Sequence, residues 1–180
     1  MENTSAEKLS AVRRSQEEAF LAGETLDLSR RLESLKALEF AIHKWEKPIA
    51  EALWNDLHKS YEEACLTELS IVSGEIKNHI RNLRKWVSPQ KRHTPLKMFP
   101  SRSEIISEPL GNSLIIAPWN YPVQLLLNPL VGALSAGCTA VLKPSPYVPN
   151  VSRTLGQMIS ETFSESLVAV VQGNREVNRQ

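Results

Sequence analysis

The chain has 180 residues, 42% of them hydrophobic, with 21 lysines and arginines against 20 acids and a formal net charge of +1. That length holds one domain or slightly more with a buried core, and the balanced charge argues against a nucleic-acid partner or an acidic membrane surface. Two cysteines, Cys65 and Cys138, with no CxxC pair, are too few for a disulfide framework and point to no metal site and a reducing compartment. The polar stretch Met1–Ser10 lacks an apolar signal core, and no apolar run approaches a membrane span, so the expected location is cytoplasmic.

Apolar periodicity predicts a first helix over Ala6–Ala22, stopped by Gly23, and a second over Asp27–Trp45 carrying Leu28, Leu32, Leu35, Leu38, Ile42 and Trp45. Pro48 suits the first turn of a third helix burying Ile49, Leu53, Trp54 and Leu57. A long fourth helix is expected over Glu62–Val87, with the stripe Cys65, Leu69, Val72, Ile76, Ile80, Leu83 and Val87. Ser88–Pro100 reads as a solvated basic loop containing Lys91, Arg92 and Lys97.

From Arg102 the period becomes strand-like. Arg102–Glu108 is a candidate strand, and Leu114–Ala117 is a short run suited to burial on both faces. Pro118–Pro122 is a tight turn, and Val123–Ala136 a helix kinked or restarted at Pro129 and closed by Gly137. Thr139–Leu142 is a second strand, Val151–Phe163 a helix, and Leu167–Val171 a third strand. This alternation predicts parallel pairing with right-handed crossovers. The expected class is α/β: N-terminal helices followed by an incomplete, doubly wound parallel (Rossmann-like) sheet. The expected parts are a helical region over residues 1–88, a linker with an oligomerisation-type strand over 89–112, and a partial βαβαβ unit over 113–180.

Such a sheet usually cradles a pyrophosphate with a GxGxxG loop after its first strand. Here Pro118-Trp119-Asn120-Tyr121-Pro122 stands in that place. Ligands of these sheets bind at the carboxyl ends of the strands, which puts Asn120 where a ligand sits. The second strand ends in Lys143-Pro144-Ser145, where a lysine reaches ribose hydroxyls or a phosphate. Taken alone, each motif is weak: an asparagine in a turn is usually a turn residue, and a lysine after a strand is usually solvated.

Glu108-Pro109-Leu110-Gly111, the run Leu114–Pro122, Asn128-Pro129-Leu130 and the run Ala136–Ser145 together resemble the aldehyde dehydrogenase superfamily. The short N-terminus and Leu35–Leu38 resemble its class 3, fatty-aldehyde-like branch. The resemblance covers the whole chain and the amino-terminal part of a family member. It implies an NAD- or NADP-dependent oxidation of an aldehyde through a cysteine thiohemiacetal and thioester, with a glutamate activating the hydrolytic water. Asn120 matches the side chain that donates to the oxyanion. Ile116, Ala117, Pro118 and Trp119 map to one wall of the cofactor cleft, and Lys143, followed by Ser145, to the adenosine ribose. The family often has an acid where Pro146 stands, so weaker discrimination against NADP is expected.

The catalytic cysteine and general base of the family are expected beyond Gln180. Cys65, on a helix stripe, and Cys138, at a strand start, read as buried and inert. His43, His58, His79 and His93 lack metal-ligand spacing. The resemblance implies a small aldehyde substrate and a homodimeric full-length form. Two alternatives stay open: a truncated, inactive nucleotide-binding remnant, and a structural or oligomerisation element. Acyl-phosphate or acyl-CoA reduction on the same fold is also compatible with Asn120.

Overall fold

The structure, a computed structural model, describes residues 3–174 and 177. Helix α1 (Ala6–Leu21) begins at Ser5, whose hydroxyl accepts from the Lys8 amide, and runs out before Gly23 at φ 77°. Helix α2 (Leu28–Leu57) is capped by Asp27, whose carboxylate accepts from the Ser29 amide at 2.8 Å.

The two helices expected on either side of Pro48 are therefore one. Proline inside a helix removes one hydrogen bond and costs about 3 kcal/mol. Here Leu35, Leu38, Ile42, Ile49 and Leu53 lie on a single buried line running through the proline, so packing on both sides carries the helix through it. Trp54, expected in that core, is mostly exposed.

Helix α2 ends at His58, a non-glycine residue in the left-handed region at φ 55°. Helix α3 (Tyr61–Ala64) starts at its cap Ser60 and passes into a π-turn, Cys65–Leu69, and then into α4 (Ser70–Trp86). The long fourth helix of the sequence reading is thus present, interrupted by one widened turn in which the Ser70 amide bonds the Cys65 carbonyl.

Strand β1 (Gln90–Arg92) pairs antiparallel with β2 (Ser103–Ile105). The stretch expected as a basic loop therefore contains a strand, and the expected Arg102–Glu108 strand is shorter. Lys91 faces Glu104 across the ladder, an opposite-charge pairing that favours the extended form.

The sheet comprises β3 (Asn112–Ile116), β4 (Thr139–Lys143) and β5 (Val168–Val170), all parallel and in the order β3-β4-β5. Helices α5 (Gln124–Ala136) and α6 (Pro149–Thr162) make the two crossovers. Successive crossovers in one direction place both helices on one face when each is right-handed. Helix α2 packs along α6 and against α5 and α4, and α1 lies against β3 and β4.

Pro129 does not restart α5, which runs through it for the reason given at Pro48: Leu126, Leu127, Leu130, Val131 and Leu134 are all buried around it. Strand β3 departs from expectation as well. Ile115 is buried, but Leu114 and Ile116 are 64% and 52% exposed, so only one of its faces is covered.

Candidate functional site

The carboxyl edge of the sheet is where β3 and β4 end side by side. Ile116 is in register with Lys143, and the Ala117 amide donates to the Lys143 carbonyl at 3.2 Å, carrying the ladder one residue past β3. The chain then leaves the sheet as the Pro118–Pro122 turn. Ala117 is buried, while Ile116, Pro118, Trp119 and Asn120 stand exposed along that edge. No protein group among the described residues hydrogen-bonds the Asn120 side chain, so its amide is free to donate. Its backbone carbonyl is held instead, by the Lys59 ammonium at 3.0 Å.

Lys143 is 3% exposed, and burial pulls its ammonium below the ordinary lysine range. Among the described residues no acceptor or acid pairs with it. Its stem is enclosed while the ammonium keeps contact with solvent, an arrangement that suits a ligand bringing hydroxyl oxygens to it, such as a ribose. Ser145 has a different local duty. Its hydroxyl accepts from the Tyr147 amide at 3.3 Å, and its carbonyl accepts from the Ser152 hydroxyl at 2.8 Å, fixing the path from β4 to α6.

Three residues that the sequence reading passed over organise this edge. Glu68 is 0% exposed; one carboxylate oxygen accepts from Lys59 Nζ at 2.7 Å, and the other from the Val123 and Gln124 amides at 2.8 and 3.1 Å. It therefore caps the N-terminus of α5. Asp56 does the same for α6, accepting from the Val151 amide at 2.9 Å and the Asn150 side chain at 2.7 Å. Helix N-termini next to parallel strands are ready anion sites. Here both are filled by the chain's own carboxylates, so a pyrophosphate would meet negative charge at each. The residues present fit the ribose end of a dinucleotide and not its phosphates.

Glu68 carried one legible signal. Ala64, Glu68, Val72 and Ile76 recur at intervals of four, a charge on an otherwise apolar line. The π-turn brings Glu68 and Leu69 inside together, which regular helical phase does not predict.

The thiols lie elsewhere. Cys138 precedes β4 at the amino edge, opposite Asn120, where it shares a cleft with Arg30 and Arg31. The sequence showed no cation beside Cys138, yet Arg31 is its neighbour in space. Cys65 is half-buried in the π-turn instead of fully buried. His79 bridges Glu75 at 3.0 Å and Ser135 at 2.6 Å with Trp86 against its ring edge, a satisfied side chain between α4 and α5.

The family profile described as "Aldehyde dehydrogenase family" matches residues 1–180. A 4,4'-diaponeurosporen-aldehyde dehydrogenase from Staphylococcus aureus is 45% identical over 157 residues, which are 87% of this chain and 34% of that protein. Aldehyde dehydrogenase family 3 member B1 from Bos taurus is 41% identical over 87% of this chain and 33% of its own length. The chain thus spans about a third of the length of the curated relatives it matches. Among solved structures, the substrate-bound Staphylococcus aureus AldH superposes with a TM-score of 0.92 at 41% identity, over 95% of this chain and 37% of that one. A bifunctional proline utilization A protein shares the fold at a TM-score of 0.82 and 18% identity, over 99% of this chain and 18% of that one.

Proposed function

Since the chain belongs to the aldehyde dehydrogenase family, we propose that it is the amino-terminal part of a cytoplasmic enzyme that oxidises an aldehyde to a carboxylic acid with NAD or NADP. The observation that carries this reading is the sheet's carboxyl edge. It presents an unpartnered Asn120 side chain on a backbone-anchored turn, beside a buried and unpaired Lys143.

The Asn120 amide N–H donates to the substrate oxygen as it gains negative charge under thiol attack. A donor already held in place stabilises that charge without reorganising, which is why its effect exceeds that of the same donor in water. Lys143 would bind the adenosine ribose hydroxyls, and Ile116, Ala117, Pro118 and Trp119 would wall the cleft. When bound, the nicotinamide supplies the hydride acceptor. Ser145 keeps the β4–α6 connection in place behind Lys143. The attacking thiol and the general-base carboxylate are assigned outside this chain, because Cys138 is at the opposite edge of the sheet and Cys65 lies in the helical layer.

In the full-length protein, Asn120→Ala is expected to lower kcat by roughly 10²–10³-fold, the usual cost of one oxyanion donor. Near-native turnover in that variant rules out the role. The second reading, a nucleotide-binding remnant without turnover, is favoured by the same placement of Cys65 and Cys138. Aldehyde oxidation by the purified 180-residue chain would overturn both that reading and the assignment of the thiols. Self-association through β1, β2 and the exposed Leu96, Phe99, Ile105 and Ile106 is the proposed basis of a homodimer.

A further inference from the structure

We propose that Lys59 and Glu68 are positioning residues that fix the Pro118–Pro122 turn and so aim Asn120. The proposal rests on the oxyanion role assigned to Asn120 above.

Lys59 is 8% exposed and makes three contacts: Glu68 at 2.7 Å, the Asn120 carbonyl at 3.0 Å, and the face of the Tyr121 ring at 4.0 Å from its centroid. One ammonium therefore grips two consecutive residues of the turn. Glu68 holds the next segment through the amides of Val123 and Gln124. Between them the pair fixes both sides of Pro122 and leaves the Asn120 side chain unclaimed.

The backbone is distorted in two places to build this clasp. His58 adopts a left-handed conformation immediately before Lys59, turning the chain from α2 so that Lys59 points inward. The π-turn at Cys65–Leu69 lets Glu68 and its neighbour Leu69 face the interior together. Each is a departure from the favoured local geometry, and such departures persist where the surroundings demand them. A buried ion pair is in addition a poor source of stability, since apolar residues of like volume often serve as well. Strain and desolvation at one spot, with a single turn as the common target, point to geometry as the purpose.

The test uses Lys59→Met/Glu68→Gln. The glutamine still accepts from the Val123 and Gln124 amides, so the α5 cap survives and only the grip on Asn120 and Tyr121 is lost. In the 180-residue chain, the expected result is a lower backbone order parameter at Asn120 and Tyr121 with an unchanged unfolding midpoint. In the full-length protein, kcat is expected to fall about 10–100-fold, as for a misplaced reacting group, with KM for the aldehyde unchanged, and Lys59→Arg is expected to retain most of the native kcat. If the double variant does not fold, Lys59→Met is read by the order parameters and kcat alone, since stranding the Glu68 carboxylate lowers the midpoint by itself. Native order parameters at Asn120 and Tyr121, or a lowered midpoint with native kcat, overturn the proposal. Should Asn120→Ala itself leave kcat unchanged, the oxyanion role fails, and the order parameters alone decide whether the clasp holds the turn.

Discussion

Replacing Glu68 by leucine removes the acceptor for three donors at once while keeping the side-chain volume. The Lys59 ammonium, 2.7 Å away and almost fully buried, is left without a counter-charge. Removing one partner of a buried pair typically costs 3–5 kcal/mol. The amides of Val123 and Gln124 lose their cap as well, a loss worth about 0.5–2 kcal/mol in isolation. The two effects share one carboxylate and do not add, so the expected destabilisation is about 3–5 kcal/mol. At roughly 2–4 °C per kcal/mol for a chain of this size, the melting temperature falls by about 6–20 °C. Adding Lys59→Met to Glu68→Leu removes the stranded charge and is expected to restore part of that loss. Urea unfolding followed by tryptophan fluorescence measures both. A cost below about 1 kcal/mol for Glu68→Leu, or a double variant less stable than the single one, refutes the account of Glu68 as the acceptor for a buried lysine and a helix end.

Lys143→Met is expected to stabilise the isolated chain at neutral pH while abolishing cofactor binding. Burial lowers the folded-state pKa of Lys143 below its ordinary value of 10.5, so the unfolded chain holds the proton more tightly and stability rises with pH between the two values. The advantage of methionine should therefore shrink across that alkaline window, and a pH-independent difference in urea midpoint would contradict it. Pro146→Glu is expected to shift the ratio of NAD to NADP affinity towards NAD by restoring an acid near the ribose 2′ position. Calorimetric titration of the full-length variant with each cofactor checks this, and an unchanged ratio defeats it.

Long apolar stripes were readable because burial and periodicity report the same fact, and so α1, α4, α5 and the parallel order of β3, β4 and β5 followed from pattern alone. The two prolines misled for one reason. Pro48 and Pro129 are local breakers, yet each sits between apolar residues already in phase, and tertiary packing outweighs a single missing hydrogen bond. Leu114 and Ile116 misled differently, since an apolar run states that a strand suits burial on both faces and not that both are covered. At the functional edge, Asn120 and Lys143 stood out through resemblance and the switch-point rule. Lys59 and Asp56 did not, and Glu68 showed only as a charge on an apolar line, because each acts across the fold on backbone groups whose positions no periodicity encodes.

The unbroken run of α2 through Pro48 makes it a bracket for α5. Near its beginning, Arg31 donates to the Thr25 and Leu26 carbonyls and reaches towards the Ser135 carbonyl, where it lies against Gly137, so close that a Cβ there would meet the guanidinium at 2.7 Å. Just beyond its end, Lys59 holds the Asn120 carbonyl ahead of α5. Both ends of the crossover are thus indexed to one rod. Inserting or deleting a single residue between Arg31 and Lys59 would rotate one clamp against the other by about 100° and shift it by about 1.5 Å. The spacing of these two cations along the chain is therefore a gauge length, able to accept changes of residue type far more readily than changes of number.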